Sequence, residues 1–400
     1  MSAQFLPIVI NSQFDSGNIR VVDATDPSDI RLEIVEDACS DFLQWFHFSA
    51  SGLAGNLCAF VIENAGASTY PRGWENYHVV FSLDRQTWER MPAEYDGAQL
   101  RWTVQAETDQ MWFAYFAPYS MEQHADLVSS AALTPMVRHK VLGLTHQGRP
   151  IDYLQVSSLI EHDVDANDAS LGNLAERAQL WVIARQHPGE SMAEWFVEGW
   201  LDRLLDPDDA TSVALRRLAD IHVVPNMNPD GSFLGHLRTN SLGVNLNREW
   251  EKPDVERSPE VFHVLERMKQ TGVDLALDVH GDEALPYNFI AGTEGVSGWT
   301  TARSQELVNL KYTWASINPD FQDQYGYPIN SPGKANLTFC SNQLASRFGC
   351  LAMTLEMPFK DTANAPRLSV GWSPERCQRL GASYVDVAYL ALTKRLLTKS

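Results

Sequence analysis

Three copies of His-x-x-Glu stand in this chain: His187/Glu190, His263/Glu266 and His280/Glu283. Residues three apart face one side across a helical turn, and imidazole with carboxylate is a donor set suited to zinc. Matches this short arise by chance, so the chain around each copy decides. His263 and Glu266 lie inside SPEVFHVLERMKQ, an amphipathic helical pattern away from any strand end, which predicts a solvated or partly packed pair. His187 closes the apolar run LWVIARQ, and His280 closes VDLALDV with Gly281 next, so both stand where a strand runs out into a loop. In α/β sheets, loops converge at the carboxyl ends of strands and sites are built there. Two histidines at two such ends can meet, and one carboxylate completes a His2Glu set that leaves a zinc position open. Glu190 begins a helix and has a short, constrained route, whereas Glu283 lies in the loop GDEALPY. The sequence therefore points to His187, Glu190 and His280 as ligands of one zinc ion per chain.

Such ligands need a sheet to carry them. After about residue 125, apolar strand candidates (180–184, 221–225, 273–279 and 350–357) alternate with helical patterns at 190–205, 258–270 and 374–397. That alternation predicts an α/β domain with a mixed or mostly parallel sheet over residues 126–400. Residues 1–125 have another rhythm. LQWFHFSAS, LCAFVIENAG, YHVVFSLD, LRWTVQAE and QMWFAYFAP are aromatic and β-branched, broken at Gly, Asn, Asp and Pro, and predict an antiparallel β-sandwich. No cluster of chemistry-bearing residues stands out in it, so a packing or substrate-shaping role is expected.

Composition narrows the partners. The 400 residues carry 31 Lys+Arg against 51 Asp+Glu, a formal charge of -20 that repels phosphate backbones and anionic membranes. Neither nucleic acid nor membrane is an expected partner. MSAQFLPIVINSQFDSG lacks a basic stretch followed by a long apolar one, and Cys39, Cys58, Cys340, Cys350 and Cys377 are odd in number and scattered. Both features fit a cytoplasmic protein with reduced thiols.

A further segment, NMNPDGSFLGHLRTNSLGVNLNREW (226–250), joins HPGE before it, LDVHGDE after it and TLEMPF at 354–359. In that order these motifs resemble the zinc metallocarboxypeptidases of the carboxypeptidase A superfamily, and among them the cytosolic carboxypeptidase branch, in which a β-sandwich precedes the catalytic domain. The resemblance runs from about residue 14 to the end. It implies an α/β, mixed-sheet zinc carboxypeptidase domain that removes C-terminal amino acids from peptides or protein tails. It also implies His187, Glu190 and His280 as metal ligands, Arg238 as the arginine that polarises the scissile carbonyl, Asn247 and Arg248 as the pair holding the terminal carboxylate, and Glu356 as general base. Glu356 is conspicuous even without the resemblance, being a lone carboxylate in the apolar LAMTLEMPF.

Where many relatives carry Asp, this chain has Asn245, an acceptor without charge beside a metal-bound histidine. The mobile tyrosine of the carboxypeptidase A branch has candidates in Tyr325 and Tyr327. Eukaryotic members of the cytosolic branch remove glutamates from acidic tails, which requires a basic residue in the side-chain pocket; an ungapped count nominates Lys334. The alternative to a carboxypeptidase is an amidohydrolase on the same scaffold, acting on N-acyl amino acids or unusual peptide linkages. A binding protein that only senses C-termini is the rival from another class.

Overall fold

The computed structural model describes residues 8–158 and 177–399; residues 1–7, on which the reading of the N-terminus partly rests, lie outside the described residues. The aromatic-rich stretches near the start become ten short strands: β1 (Val9–Asn11), β2 (Arg20–Asp23), β3 (Ile30–Glu33), β4 (His47–Ser51), β5 (Leu57–Ile62), β6 (His78–Ser82), β7 (Glu89–Pro92), β8 (Glu94–Tyr95), β9 (Leu100–Gln105) and β10 (Gln110–Ala114). They form two five-stranded sheets, ordered β1-β4-β10-β6-β7 and β2-β3-β5-β9-β8. Alternate side chains turn inward from both: Phe113 of one sheet lies 4.9 Å from Phe60 of the other, and Phe60 stacks on Trp102 at 5.2 Å. Each such aromatic pair adds about 0.5–1.5 kcal/mol beyond its burial. One pairing departs from the antiparallel expectation. β3 and β5 run parallel, because the chain leaves β3, gives β4 to the opposite sheet and returns in the same direction.

The second part begins with α1 (Met121–Ala132), and the expected division at 125/126 falls inside this helix. Strands β11 (Val137–Leu144), β12 (Pro150–Val156), β13 (Ala178–Ala184), β14 (Ala219–Val224), β15 (Leu275–Asp282), β16 (Phe289–Ala291) and β17 (Leu351–Pro358) make a seven-stranded sheet ordered β11-β12-β14-β13-β15-β17-β16. Its four central strands are parallel and its edges antiparallel, the mixed sheet the alternation predicts.

Both faces are covered, which is why the central strands read as unbroken apolar runs. Leu180 and Val182 of β13 turn toward α2 (Met192–Leu204) and α8 (Pro374–Lys399); Trp181 and Ile183 turn toward α5 (Pro259–Thr271) and α7 (Cys340–Phe348). Close contact between α2 and α8 depends on missing side chains. A Cβ on Gly381 would stand 2.0 Å from the Phe196 carbonyl oxygen. His263 and Glu266 lie on α5, where Glu266 pairs with Lys269 on the surface, as their helical setting predicts. Among the described residues no helix is long and apolar enough to cross a membrane.

Candidate active site

β13 ends at Ala184, and Arg185 then turns the chain with a left-handed φ of 57°. Its buried guanidinium holds the turn, Nε donating to the Pro188 carbonyl at 2.8 Å and Nη1 to that of Tyr119 at 2.8 Å. This turn delivers His187 and Glu190 to the strand end. A single ladder step brings in His280, since β13 and β15 are paired neighbours. His187 Nδ1 lies 2.7 Å from Glu190 Oε1, His280 Nδ1 lies 2.8 Å from Glu190 Oε2, and the two Nδ1 atoms are 3.1 Å apart.

The outward nitrogens of both rings are also held. His187 Nε2 lies 3.1 Å from Asn245 Oδ1, and His280 Nε2 lies 2.9 Å from Asp278 Oδ1. Asp278 in turn accepts from Gln186 Nε2 at 2.7 Å, and Gln186 Oε1 accepts from Trp250 Nε1 at 2.8 Å. Such outer partners fix ring orientation and leave the inward nitrogens to face one point. Burial would raise the Glu190 carboxyl, yet the two imidazoles beside it hold it well below the usual carboxylate range.

Around this trio opens a cavity of about 370 Å³ whose lining includes Arg238, Asn247, Arg248 and Glu356. Glu356 is the register partner of His280 across the parallel β15–β17 pair, so the two side chains share a face. Its Oε2 is buried without a hydrogen-bond partner, and burial pushes its pKa well above the usual range, opposed by His280 and reinforced by Glu190, Asp282 and Glu283. Glu283 also lines the cavity, outside the His187/Glu190/His280 group, with its carboxyl pushed up to about 8 by burial.

Asn247 uses its Oδ1 to accept the Cys340 N–H at the start of α7, 2.8 Å away, which leaves its NH2 toward the cavity. Arg248 lies over the Phe339 ring at 3.9 Å and has no carboxylate partner among the described residues. Of the two tyrosine candidates, Tyr327 lines the cavity and donates to Asp282 Oδ2 at 2.5 Å, whereas Tyr325 stacks on Tyr287 at 4.6 Å.

Lys334 requires a correction. It is exposed on a turn, its N–H bonded to the Ser331 carbonyl at 3.0 Å, and it is absent from the cavity lining. Lys311, on helix α6 (Thr301–Ile317), stands there instead, with Glu294. Counting along a loop without allowance for how it folds misplaced the cation.

Sequence reasoning also missed what the sandwich supplies. Asp37 reaches into the loop that carries Arg238: its Oδ1 accepts the Leu237 N–H at 2.6 Å, and its Oδ2 accepts the N–H groups of Arg238 and Thr239 at 2.8 and 2.9 Å and the Thr239 hydroxyl at 3.0 Å. Tyr70 and Phe42 flank the guanidinium at 5.5 and 5.6 Å, and Tyr70 lines the cavity. Arg238 Nη1 ends 4.0 Å from Glu190 Oε1. Asp37→Asn would turn an NH2 toward backbone donors, freeing the loop. The expected result is a loss in kcat between about 10- and 100-fold with little change in KM and unchanged zinc content. Steady-state kinetics with metal analysis check it, and an unchanged kcat would show that the loop holds itself.

Residues 10–116 match the family described as cytosolic carboxypeptidase N-terminal domain, and residues 125–363 match zinc carboxypeptidase. The chain belongs to the zinc carboxypeptidase family. An uncharacterized protein of Zymomonas mobilis is 45% identical to this zinc carboxypeptidase over 94% of each chain. Cytosolic carboxypeptidase 6 of Caenorhabditis elegans is 24% identical, covering 88% of this chain and 79% of its own. Two solved structures share the fold closely. A metallo-carboxypeptidase from Burkholderia cenocepacia has a TM-score of 0.90 at 41% identity, covering 98% of this chain and 100% of its own. The metallo-carboxypeptidase from Pseudomonas aeruginosa, in complex with (2-guanidinoethylmercapto)succinic acid, has a TM-score of 0.90 at 43% identity, covering 97% and 100%.

Membership makes the chain a metallocarboxypeptidase, with zinc as cofactor and peptides as substrates. The residues present in this zinc carboxypeptidase fit the ion. Ligand atoms of His187, Glu190 and His280 all lie within 4.8 Å of one another, the set that zinc takes with one position left open. Around them converge Glu283, Glu356 and Asp282, a buried concentration of carboxylates that a divalent cation relieves.

Proposed function

We propose that this zinc carboxypeptidase removes the C-terminal residue of peptides or protein tails, using His187, Glu190 and His280 to hold zinc and Glu356 as general base. The observation that carries the reading is Glu356 itself: a buried carboxylate with an unpartnered oxygen, in register with His280 and facing a cavity that also holds two arginines. Bound zinc supplies Lewis acidity that an amide, a poor electrophile, requires. Glu356 takes a proton from the attacking water and returns it to the leaving amine; its dry surroundings make the ionised form a stronger base than a solvated glutamate. Arg238 faces the charge that grows on the carbonyl oxygen, an interaction that strengthens in the transition state. Arg248 and the Asn247 NH2 hold the terminal carboxylate, and the Phe339 ring steadies the guanidinium plane for a two-pronged grip.

A preference for acidic C-terminal residues is supported by Lys311 in the cavity lining, and Glu294 in the same lining tempers it. Equal turnover of peptides ending in Glu, Leu and Lys removes that preference from the account. Because Arg248 and Asn247 recognise a carboxylate, N-acyl amino acids are the alternative substrates, and product mass separates the two. We place the enzyme in the cytoplasm, with a sandwich domain over residues 1–125 and a catalytic domain over residues 126–400. Removing the terminal charge tests the carboxylate grip. A C-terminally amidated peptide is expected to lose roughly 10- to 100-fold in kcat/KM against the free acid, and Arg248→Ala is expected to erase the difference. Equal cleavage of both peptides by the unaltered enzyme would show that Arg248 does something else.

A further inference from the structure

A second cavity, of about 480 Å³, lies between the sandwich and the mixed-sheet part of the chain. Ala284, in the loop after β15, lines both it and the catalytic cavity. Two buried cations stand in its walls. Arg90, 8% exposed, donates from Nη2 to the carbonyls of Phe359 and Trp372 at 2.7 and 3.1 Å and from Nη1 to that of His78 at 3.1 Å. Lys360, 5% exposed, donates from Nζ to the carbonyls of Glu75 and Arg72 at 2.8 and 3.3 Å.

Every partner named is a backbone oxygen. Among the described residues no carboxylate comes within 4.0 Å of either cation. The two acids of the cavity are engaged elsewhere: Asp361 binds Arg376 at 3.1 Å, and Glu75 leans toward the exposed Arg72 at 3.9 Å. Arg90 Nε has no partner at all. Gly371 packs against that nitrogen: its φ of 61° suits glycine, and a Cβ there would stand 2.5 Å from Nε. Arg90 also lies over the Phe116 ring at 5.7 Å, but a buried charge without an ion-pair partner is costly, and burial lowers the pKa of both groups. Clamping the two parts of the chain together would not need the open space beside these cations.

We infer that this cavity binds an anion bearing a carboxylate or phosphate group, whose oxygens pair with Arg90 and Lys360 while its body rests on Ala363, Pro366 and Leu368. Leu368 is 81% exposed at the site and touches neither cation's hydrogen bonds, so Leu368→Glu sets a like charge beside the anion and leaves the clamp intact. The test is calorimetric titration of the zinc-loaded full chain with inorganic phosphate and, separately, with succinate, ionic strength being held constant with chloride. Saturable binding at one site per chain is expected to remain in Arg248→Ala, which lacks the carboxylate grip of the catalytic cavity. Affinity should fall about ten-fold or more in Leu368→Glu and in Lys360→Met, and should persist in Arg248→Ala, whose change lies in the catalytic cavity. Binding of phosphate alone, or of succinate alone, that is kept in Arg248→Ala and weakened in Leu368→Glu supports the site and identifies its head group. Absence of saturable binding overturns the inference, as does binding that Leu368→Glu and Lys360→Met leave intact.

Discussion

Glu356→Gln is expected to lower kcat by between about 10² and 10⁴-fold while the protein still carries its full complement of zinc. Glutamine has the shape of glutamate and cannot accept the proton, so the change removes basicity and little else. The proposed ligands His187 and His280 keep their outer partners Asn245 and Asp278, and Glu190 stays between the two rings. Thermal stability should not fall, because the carboxylate is buried among Glu190, Asp282 and Glu283 with one oxygen unsatisfied. Turnover against a free-acid peptide, with metal content measured on the same sample, checks the point. A variant that keeps its activity would place the base elsewhere, and Glu283 would be the next carboxylate to test.

Arg238→Met is expected to cost about 10²- to 10³-fold in kcat, the range for loss of one donor to a developing oxyanion. Methionine keeps the apolar stem between Tyr70 and Phe42 and removes only the charge. Burial opposes that charge, but Tyr70, Glu283 and Glu190 around it more than compensate and keep the guanidinium protonated. The loss should fall on kcat with KM nearly unchanged. A large rise in KM with kcat intact would mean that Arg238 binds the ground state instead. Combined with Asp37→Asn, the methionine variant should be little worse than alone, since Asp37 acts through the loop that Arg238 occupies.

What could be read from the sequence follows the range of the interactions involved. His187 and His280 close apolar runs, and a parallel sheet brings such ends together, so the trio was visible without coordinates. Glu356 stood out because a carboxylate rarely sits in an apolar strand without a task. Helices α2, α5 and α8 declare themselves by apolar spacing and begin and end within about two residues of expectation. Helix α6 does not, burying only Leu307, Leu310 and Trp314 along 17 residues. Strand β11 is an exposed edge and carries little alternation. Asp37 and Tyr70 were out of reach for a different reason. Asp37 meets its partners across 200 to 202 positions, and a single aspartate in a β-rich region has no local signature. Lys311 was hidden likewise, since nothing along the chain ties α6 to the strand that carries Glu356.

Metal content and activity measured together on the same preparations test the central claim most directly. The zinc-loaded chain should hold one zinc ion and cleave a C-terminal residue; chelation should remove both, and added zinc should restore both. His280→Ala should hold less than about a tenth of the metal at the same free zinc concentration, since loss of one of three ligands weakens binding far more than loss of an outer partner, which costs about 10- to 100-fold. Full hydrolysis by a chain stripped of zinc, or undiminished zinc in His280→Ala, would contradict the account.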